Sequence, residues 1–329
     1  MSQVSWQAPF RFHTRFRGRA NASIIAALHR PRQPCKNPVH DSSFPLKIPF
    51  HRVLYSATPR RFPGGRIMSP DIIYEKKDHI ATITLNRPHA LNALTREMMD
   101  VTLPEIWQDI KKDKQVWVVI FTAAGDRSFS SGRDLREAAK QPTHGPPGGS
   151  QNLKMSARQN DIEQPVICAV NGVCTGGAFQ FVSDADIVIC SENATFVNTA
   201  VSVGHVVTYS AIQMTRYVPF GALNRMLMVG AHERVSAQRA YELGIVTEVV
   251  PYAKLMDSAL DLARKIAKNS PTAVRIVKKT LTRAMLAGLD ESFEYGRQLS
   301  GTMSKHPDIR EGTLAFVEKR EPRWNTDGL

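Results

Sequence analysis

Apolar runs of strand length alternate with helix-like segments along most of the chain after residue 68. Two β-rich runs in IIYEKKDHIATITLN are joined by a polar turn at residues 76–78, which predicts a hairpin. VWVVIF, PVICAV and DIVIC are apolar enough to be buried strands. Thr95 can cap a helix that runs to about Lys112 and that Pro104 should kink or divide, and a second helix is expected at 153–162.

This alternation of strands and helices with short connections predicts an α/β fold with a largely parallel sheet. After about Ser210 the pattern becomes almost wholly helical. The last amphipathic segments are DSALDLARKIAKNSP, TAVRIVKKTLTRAMLAG and DIREGTLAFVEKREPRW. We therefore expect an α/β core at 68–257 and a C-terminal helical region at 258–329.

The basic charge of the chain is concentrated in its first part. The net charge is +13, but residues 1–67 carry 12 Lys and Arg with Asp41 as their one acid, a balance of +11 that leaves the remainder nearly neutral. This leader is expected to lack stable structure, either as a transit peptide for the mitochondrial matrix or as a mis-assigned start upstream of Met68 in a cytoplasmic protein. A neutral body predicts no nucleic-acid partner.

Other compositional features exclude further classes of function. No apolar run approaches the roughly 18 residues that cross a bilayer, so no membrane partner is expected. The four cysteines form no CxxC pair, and the ten histidines form no HExxH motif. The sequence therefore predicts buried free thiols and no metal site.

Two segments of similar design are the candidates for chemistry. FSSGRDL and GVCTGGAF each end a predicted strand, turn on glycine and open a helix. Glycine lets a backbone approach a ligand closely, and the first N–H groups of a helix lack internal partners. Two such turns on neighbouring strands would direct two N–H donors at one oxygen, as an oxyanion hole does. The alternative is that the glycines only permit tight packing.

The motifs NRPHALNAL, FSSGRDL, PVICAVNGVCTGGAF with DADI, SPTAVRIVKKTL and EGTLAFVEKR occur in this order. Together they resemble the crotonase superfamily of enoyl-CoA hydratases and isomerases, over about Ile72 to Trp324. The resemblance implies a crotonase-like spiral of ββα units with a C-terminal α-helical trimerisation region. It also implies a homotrimer or a dimer of trimers.

The same resemblance implies roles for individual residues. The N–H groups of Arg133 and Gly177 would hold the thioester oxygen of an acyl-CoA and stabilise an enolate. Coenzyme A would enter as part of the substrate, with no separate cofactor. The residues that would contact it are His89 and Ala90 along the adenine and pantetheine channel, Arg136 near the phosphates, and Phe316 and Lys319 near the C terminus.

The chain departs from the hydratase pattern at two positions. Gln180 and Ala200 stand where hydratases of the family carry glutamates. An amide can hold water but cannot take its proton, so fast hydration by two glutamates is not expected. Enolate stabilisation could instead serve isomerisation, decarboxylation, C–C cleavage or thioester hydrolysis. Replacement acid–base candidates are His205, Tyr209 and Glu137; the alternative is a non-catalytic acyl-CoA-binding homologue or scaffold.

Overall fold

The computed structural model describes residues 68–140, 153–203, 207–287, 291, 294–295, 298–299, 302, 306–318 and 320–325. The predicted leader, residues 1–67, lies outside these residues. The described chain forms two sheets flanked by helices, which confirms the predicted α/β class with a largely parallel sheet.

The larger sheet has seven strands in the order β1-β2-β3-β4-β6-β8-β11. Its first three strands are antiparallel, and every pairing from β3 to β11 is parallel. The bounds are β1 Met68–Ser69, β2 Ile72–Lys77, β3 Ile80–Leu85, β4 Val118–Ala123, β6 Val166–Val170, β8 Ile187–Ser191 and β11 Glu248–Val250.

The smaller sheet has four strands in the order β10-β9-β7-β5. Here β5 is Ser128–Ser130, β7 is Val173–Thr175, β9 is Thr195–Val197 and β10 is Val235–Ser236. β5 and β7 are parallel neighbours, and so are β7 and β9. Because parallel neighbours end at the same edge, the segments that follow these three strands come together there.

The first hairpin and the first helix follow local sequence chemistry. The predicted hairpin is present, but its turn lies at Asp78 and His79, with φ of 51° and 63°, and not at 76–78, because residues 76 and 77 continue β2. The Thr95 hydroxyl accepts a hydrogen bond from the Met98 N–H at 3.2 Å, as predicted for a cap. Pro104 divides the predicted helix into a π-helical turn at Met98–Thr102 and an α-helix, because proline cannot donate within a helix.

The helices cover both faces of the larger sheet. The α-helices used below are α1 Leu103–Lys112, α2 Leu135–Lys140, α3 Phe179–Asp184, α4 Tyr209–Met214, α5 Phe220–Val229, α6 Ala237–Glu242, α7 Leu255–Ala267 and α8 Pro271–Leu286, followed by a final helix at Pro307–Glu318. Leu255, Ala259 and Ala263 of α7 pack against strand residues such as Ile167 and Ile189. The division predicted at residue 258 falls within α7 and stays a prediction.

Two predicted helices differ from the structure. Residues 153–162 contain only a short 3₁₀ turn at Arg158–Asn160, because Asn160 and Gln159 bond to nearby backbone and hydroxyl groups instead of extending a helix. The final helix ends at Glu318, short of the predicted end at Trp324. Within the described residues, no helix is both long and apolar enough to cross a bilayer.

The contact between Gly172 and the chain entering β5 gives a test of the fold. A Cβ at Gly172 would lie 2.6 Å from both the Arg127 carbonyl carbon and the Ser128 nitrogen, inside van der Waals contact with rigid backbone. We expect Gly172→Ala to destabilise the protein by about 3 kcal/mol or more in denaturant unfolding. The matched control is Gly221→Ala in α5, where nothing lies within 4 Å of the added Cβ and stability should be unchanged or slightly raised. Equal stability of the two variants would contradict the packing described.

Candidate active site

The first glycine motif turns out of β5 at Gly132 and enters α2. Gly132 has φ of 79°, a conformation that glycine adopts without strain. The turn is fastened to the preceding loop, because the Ser130 hydroxyl donates to the Asn92 carbonyl at 2.7 Å and Leu94 N–H donates to the Gly132 carbonyl at 2.8 Å. Asn92 itself is fully buried, and its side-chain amide donates to the Ser128 carbonyl at 2.7 Å.

The second glycine motif turns out of β7 and enters α3 through a 3₁₀ turn at Gly176–Ala178. Gly176 has φ of 56°, again a glycine conformation. All six residues of α3 are buried. Phe181 stacks on Phe121 of β4 with ring centroids 4.2 Å apart and meets Phe129 of β5 edge-on. These contacts fix α3, and with it the direction of the turn, against the strands that carry the first motif.

The two turns lie directly against each other. A Cβ at Gly132 would lie 2.9 Å from the Gly177 nitrogen, and a Cβ at Gly177 would lie 3.8 Å from the Arg133 nitrogen. In the described chain, neither the Arg133 nor the Gly177 N–H donates to another main-chain group. The structure therefore brings together two N–H groups without backbone partners, from two different strand-to-helix turns.

The chain that follows β9 forms the third side of this region. The hydroxyls of Thr175, just before Gly176, and Thr199, just before Ala200, are 3.2 Å apart. Gln180 is 5% exposed, and its buried Oε1 has no hydrogen-bond partner in the described structure. Gln180 and Ala200, where the family resemblance predicts that glutamates are replaced, thus lie on the segments next to the second glycine turn.

Comparison with known proteins identifies the family of the chain. Residues 75–327 match the family model described as enoyl-CoA hydratase/isomerase. The chain belongs to the enoyl-CoA hydratase/isomerase family. It is 33% identical over 256 residues to a short-chain-enoyl-CoA hydratase from Clostridium acetobutylicum, covering 76% of this chain and 96% of that protein. It is also 33% identical over 264 residues to a carnitinyl-CoA dehydratase from Escherichia coli O157:H7, covering 78% of this chain and 99% of that protein.

A solved structure supports the same assignment. The crystal structure of an enoyl-CoA hydratase/isomerase from Mycobacterium paratuberculosis matches with a TM-score of 0.70 and 36% identity, covering 78% of this chain and 98% of that chain. The predicted crotonase-like fold is therefore confirmed, and helices follow the core as expected. The role of those helices in trimerisation stays a prediction.

The residues expected to contact coenzyme A are only partly described. His89 and Ala90 lie in a 3₁₀ turn that leads into the loop bonded to the first glycine motif, with His89 exposed. Arg136 is exposed on α2, and its N–H donates to Asp134. Phe316 lies in the final helix, while Lys319 and the acid–base candidate His205 lie outside the described residues. Their roles stay predictions of the family resemblance.

The other two acid–base candidates already have partners. The Tyr209 hydroxyl donates to Asp184 at 3.0 Å, and burial together with that carboxylate raises the pKa of the tyrosine. Glu137 accepts a hydrogen bond from the Arg96 N–H at 2.9 Å. Both side chains therefore stabilise local structure, Tyr209 through its packing and Glu137 near the start of α2.

A cluster at the far end of α3 was missed by the sequence reasoning. Asp184 is 2% exposed and accepts hydrogen bonds from the Ser156 hydroxyl at 2.6 Å and from Tyr209. Burial raises the pKa of its carboxyl to about 6, against the opposing effects of Ser156 and of the Arg158 guanidinium. An aspartate inside an apolar stretch was the one signal in the sequence, but its partners are distant along the chain.

The raised pKa of Asp184 predicts a pH dependence of stability. The folded state binds the proton of the Asp184 carboxyl more tightly than the unfolded state does. The stabilisation that this protonation contributes is complete below the usual pKa of 3.8 and is lost as the pH rises through about 6. We expect the unfolding free energy of Asp184→Asn, relative to the parent chain, to rise by about 2–3 kcal/mol between about pH 4 and 7. Urea titrations across that range measure it, with Asp257→Asn on the exposed side of α7 as control. Parallel pH curves for parent and Asp184→Asn would refute the prediction.

Proposed function

We propose that the protein is an acyl-CoA enzyme in which the N–H groups of Arg133 and Gly177 bind the thioester oxygen and stabilise an enolate. The observation that supports this is the contact between two glycine turns whose N–H groups lack backbone partners. Donors fixed in advance around a developing oxyanion stabilise it strongly, because no reorganisation accompanies the reaction. Backbone donors also explain why an arginine can occupy position 133.

The proton transfers are proposed to use non-standard groups. Gln180 is buried beside the second turn, where its amide can orient a substrate or a water molecule but cannot accept a proton. Ala200 offers no functional group. His205 lies five residues further along the same segment, and its imidazole is the proposed proton carrier.

The proposed chemistry is that of a lyase or isomerase acting next to the thioester. The relatives named as a short-chain-enoyl-CoA hydratase and a carnitinyl-CoA dehydratase support CoA thioesters as the substrate class. Decarboxylation, C–C cleavage and thioester hydrolysis use the same enolate or oxyanion and remain within the proposal. His89, Ala90, Arg136, Phe316 and Lys319 are proposed to contact coenzyme A, in a homotrimer or a dimer of trimers.

Gly177→Ala tests the oxyanion hole without removing an N–H. The added methyl meets only ordinary contacts at 3.8 Å or more, one of them the Arg133 nitrogen, so it occupies the space between the two donors. We expect acetoacetyl-CoA to form its ultraviolet-absorbing enolate on the parent protein, and Gly177→Ala to weaken enolate formation by about 10²–10³-fold.

The melting temperature of Gly177→Ala should stay close to that of the parent, and Gly221→Ala serves as the glycine-to-alanine control. Undiminished enolate absorbance in a folded Gly177→Ala protein would refute the role of these amides.

The second candidate is an acyl-CoA-binding homologue without catalysis, which the residues at 180 and 200 favour. A panel of enoyl-, dienoyl-, malonyl- and β-hydroxyacyl-CoAs separates the candidates, because turnover of any one of them excludes pure binding. We expect the double variant Gln180→Glu with Ala200→Glu to hydrate crotonyl-CoA faster than the parent, by about 10²-fold or more, since a positioned acid–base group contributes at least that much. Each single variant is the control. Unchanged hydration would show that the pocket is shaped for a different reaction.

A further inference from the structure

The direction of the Arg133 N–H is set by a neighbouring backbone segment. Leu94 and Arg133 are partners in a parallel β-bridge, in which Leu94 N–H donates to the Gly132 carbonyl at 2.8 Å and Asp134 N–H donates to the Leu94 carbonyl at 2.9 Å. The carbonyl and the N–H of a trans peptide point in opposite directions. Because the Gly132 carbonyl points at Leu94, the N–H of the same peptide, that of Arg133, points away from Leu94.

Leu94 also contacts the second glycine turn. Its side chain is fully buried, and its Cδ1 lies 3.8 Å from the position of a Cβ at Gly177, the same distance at which that Cβ would meet the Arg133 nitrogen. The main chain of Leu94 thus orients one proposed donor, and its side chain packs beside the other. Any group that fixes this segment therefore also fixes the geometry of the two N–H groups.

Arg87 joins the two sides of this bridge. Its Nη1 donates to the Ala93 carbonyl at 2.7 Å and to Oδ2 of Asp134 at 3.1 Å. Ala93 directly precedes Leu94, and Asp134 directly follows Arg133. One guanidinium nitrogen therefore ties together the residues next to both members of the bridge.

The Asp134 carboxylate is held from the opposite direction by α2. Its Oδ1 accepts hydrogen bonds from the N–H groups of Arg136 at 3.1 Å and Glu137 at 3.2 Å. Burial opposes ionisation, but the Glu137 N–H and the Arg87 guanidinium together lower the pKa of the Asp134 carboxyl, so it is ionised at neutral pH. The Arg87 and Asp134 side chains are only 15% and 14% exposed, which limits screening of their ion pair by solvent. Asp71 lies on another side of the guanidinium, 3.6 Å from its Nε.

We propose that Arg87 is a positioning residue, whose ion pair with Asp134 keeps the Arg133 N–H in the direction that binds the thioester oxygen. This inference rests on the proposed function of Arg133 and Gly177. Hydrogen bonds weaken steeply when the donor is misaligned, and a displacement of about 1 Å can lower a reaction rate by about 10²-fold. Loss of the ion pair should therefore weaken the oxyanion hole although both N–H groups remain.

Arg87→Gln and Asp134→Asn break the ion pair from its two sides. Asparagine keeps an acceptor for the N–H groups of α2. At saturating acetoacetyl-CoA we expect the enolate fraction to fall about tenfold in each variant, less than the 10²–10³-fold of a lost donor. Affinity for free coenzyme A, which has no thioester oxygen, should change by about threefold or less in calorimetric titration. The double variant should lose no more than the weaker single variant, because both changes break the same pair. Arg87→Lys, which keeps the charge, should recover part of the enolate signal.

Lys278→Gln is the matched control. The Lys278 side chain is also 15% exposed, pairs with Asp186 at 2.7 Å and donates to the Gln164 carbonyl at 2.8 Å, so it has the same kinds of partner as Arg87. Neither of its partners belongs to a glycine turn. We expect Lys278→Gln to lower the melting temperature while leaving the enolate fraction unchanged.

The outcomes separate positioning from general stability and from the proposed function. An undiminished enolate fraction in folded Arg87→Gln and Asp134→Asn overturns the positioning role. An equal loss of coenzyme A affinity, or an equal loss of enolate in Lys278→Gln, also overturns it. Absence of enolate on the parent protein contradicts the proposed function itself, and the inference with it. Melting temperatures identify a variant that fails to fold, and the remaining variants then decide.

Discussion

The close approach of two backbone turns, which only glycine permits, is the constraint on which the rest of the site depends. A side chain at Gly132 would meet the Gly177 nitrogen and the Thr175 carbonyl oxygen at 2.9 Å, so any larger residue would force the turns apart. The approach is held from several sides. β5 and β7 pair in parallel, Phe181 anchors α3 on Phe121, and the loop before the first motif is bonded to it. That loop contains two consecutive non-glycine residues with positive φ, Leu91 and Asn92, and the buried hydrogen bonds of Asn92 offset this strain.

Because the proposed donors are main-chain groups, this scaffold separates the binding of an acyl oxygen from the transfer of protons. The side chains at 180 and 200 are not part of the contact between the glycine turns. Gln180 illustrates the physical consequence. A buried carboxylate without a partner would cost much more free energy than a buried amide, so glutamine favours stability at a position where glutamate would favour proton transfer. Such a site can keep its affinity for thioesters while its chemistry changes.

Local patterns were sufficient for the parts of the structure that local chemistry decides. The presence of the hairpin between β2 and β3, the cap at Thr95, the break at Pro104 and the two glycine turns follow from short-range rules, although the hairpin turn lies at 78–79 and not at 76–78. The family resemblance, carried by five motifs in order, predicted the fold, which is confirmed, and a candidate site, which stays a prediction. The helix predicted at 153–162 was wrong because, besides the local hydrogen bonds of Gln159 and Asn160, this segment has distant partners. Trp107 donates to the Met155 carbonyl, and Lys111 donates to the Asn160 carbonyl. The pairing of Arg158 with Asp184 likewise arises from the packing of α3 and could not be predicted from spacing.

Burial of the Asp184 carboxyl costs the fold free energy. Burial raises the pKa of this carboxyl, so at neutral pH the ionised group lowers the stability of the fold. Its two hydroxyl partners require only one acceptor oxygen, Oδ2, and an asparagine would supply that equally well. The second carboxylate oxygen of Asp184, Oδ1, carries charge but has no hydrogen-bond partner among the described residues. Beside it, the Arg158 guanidinium has an unsatisfied donor, Nη1. Neither is explained by packing, because an apolar or amide side chain of similar size would fill the same volume at lower cost. The buried ion pair of Arg158 and Asp184 is therefore kept at a cost in stability that the packing of α3 does not require.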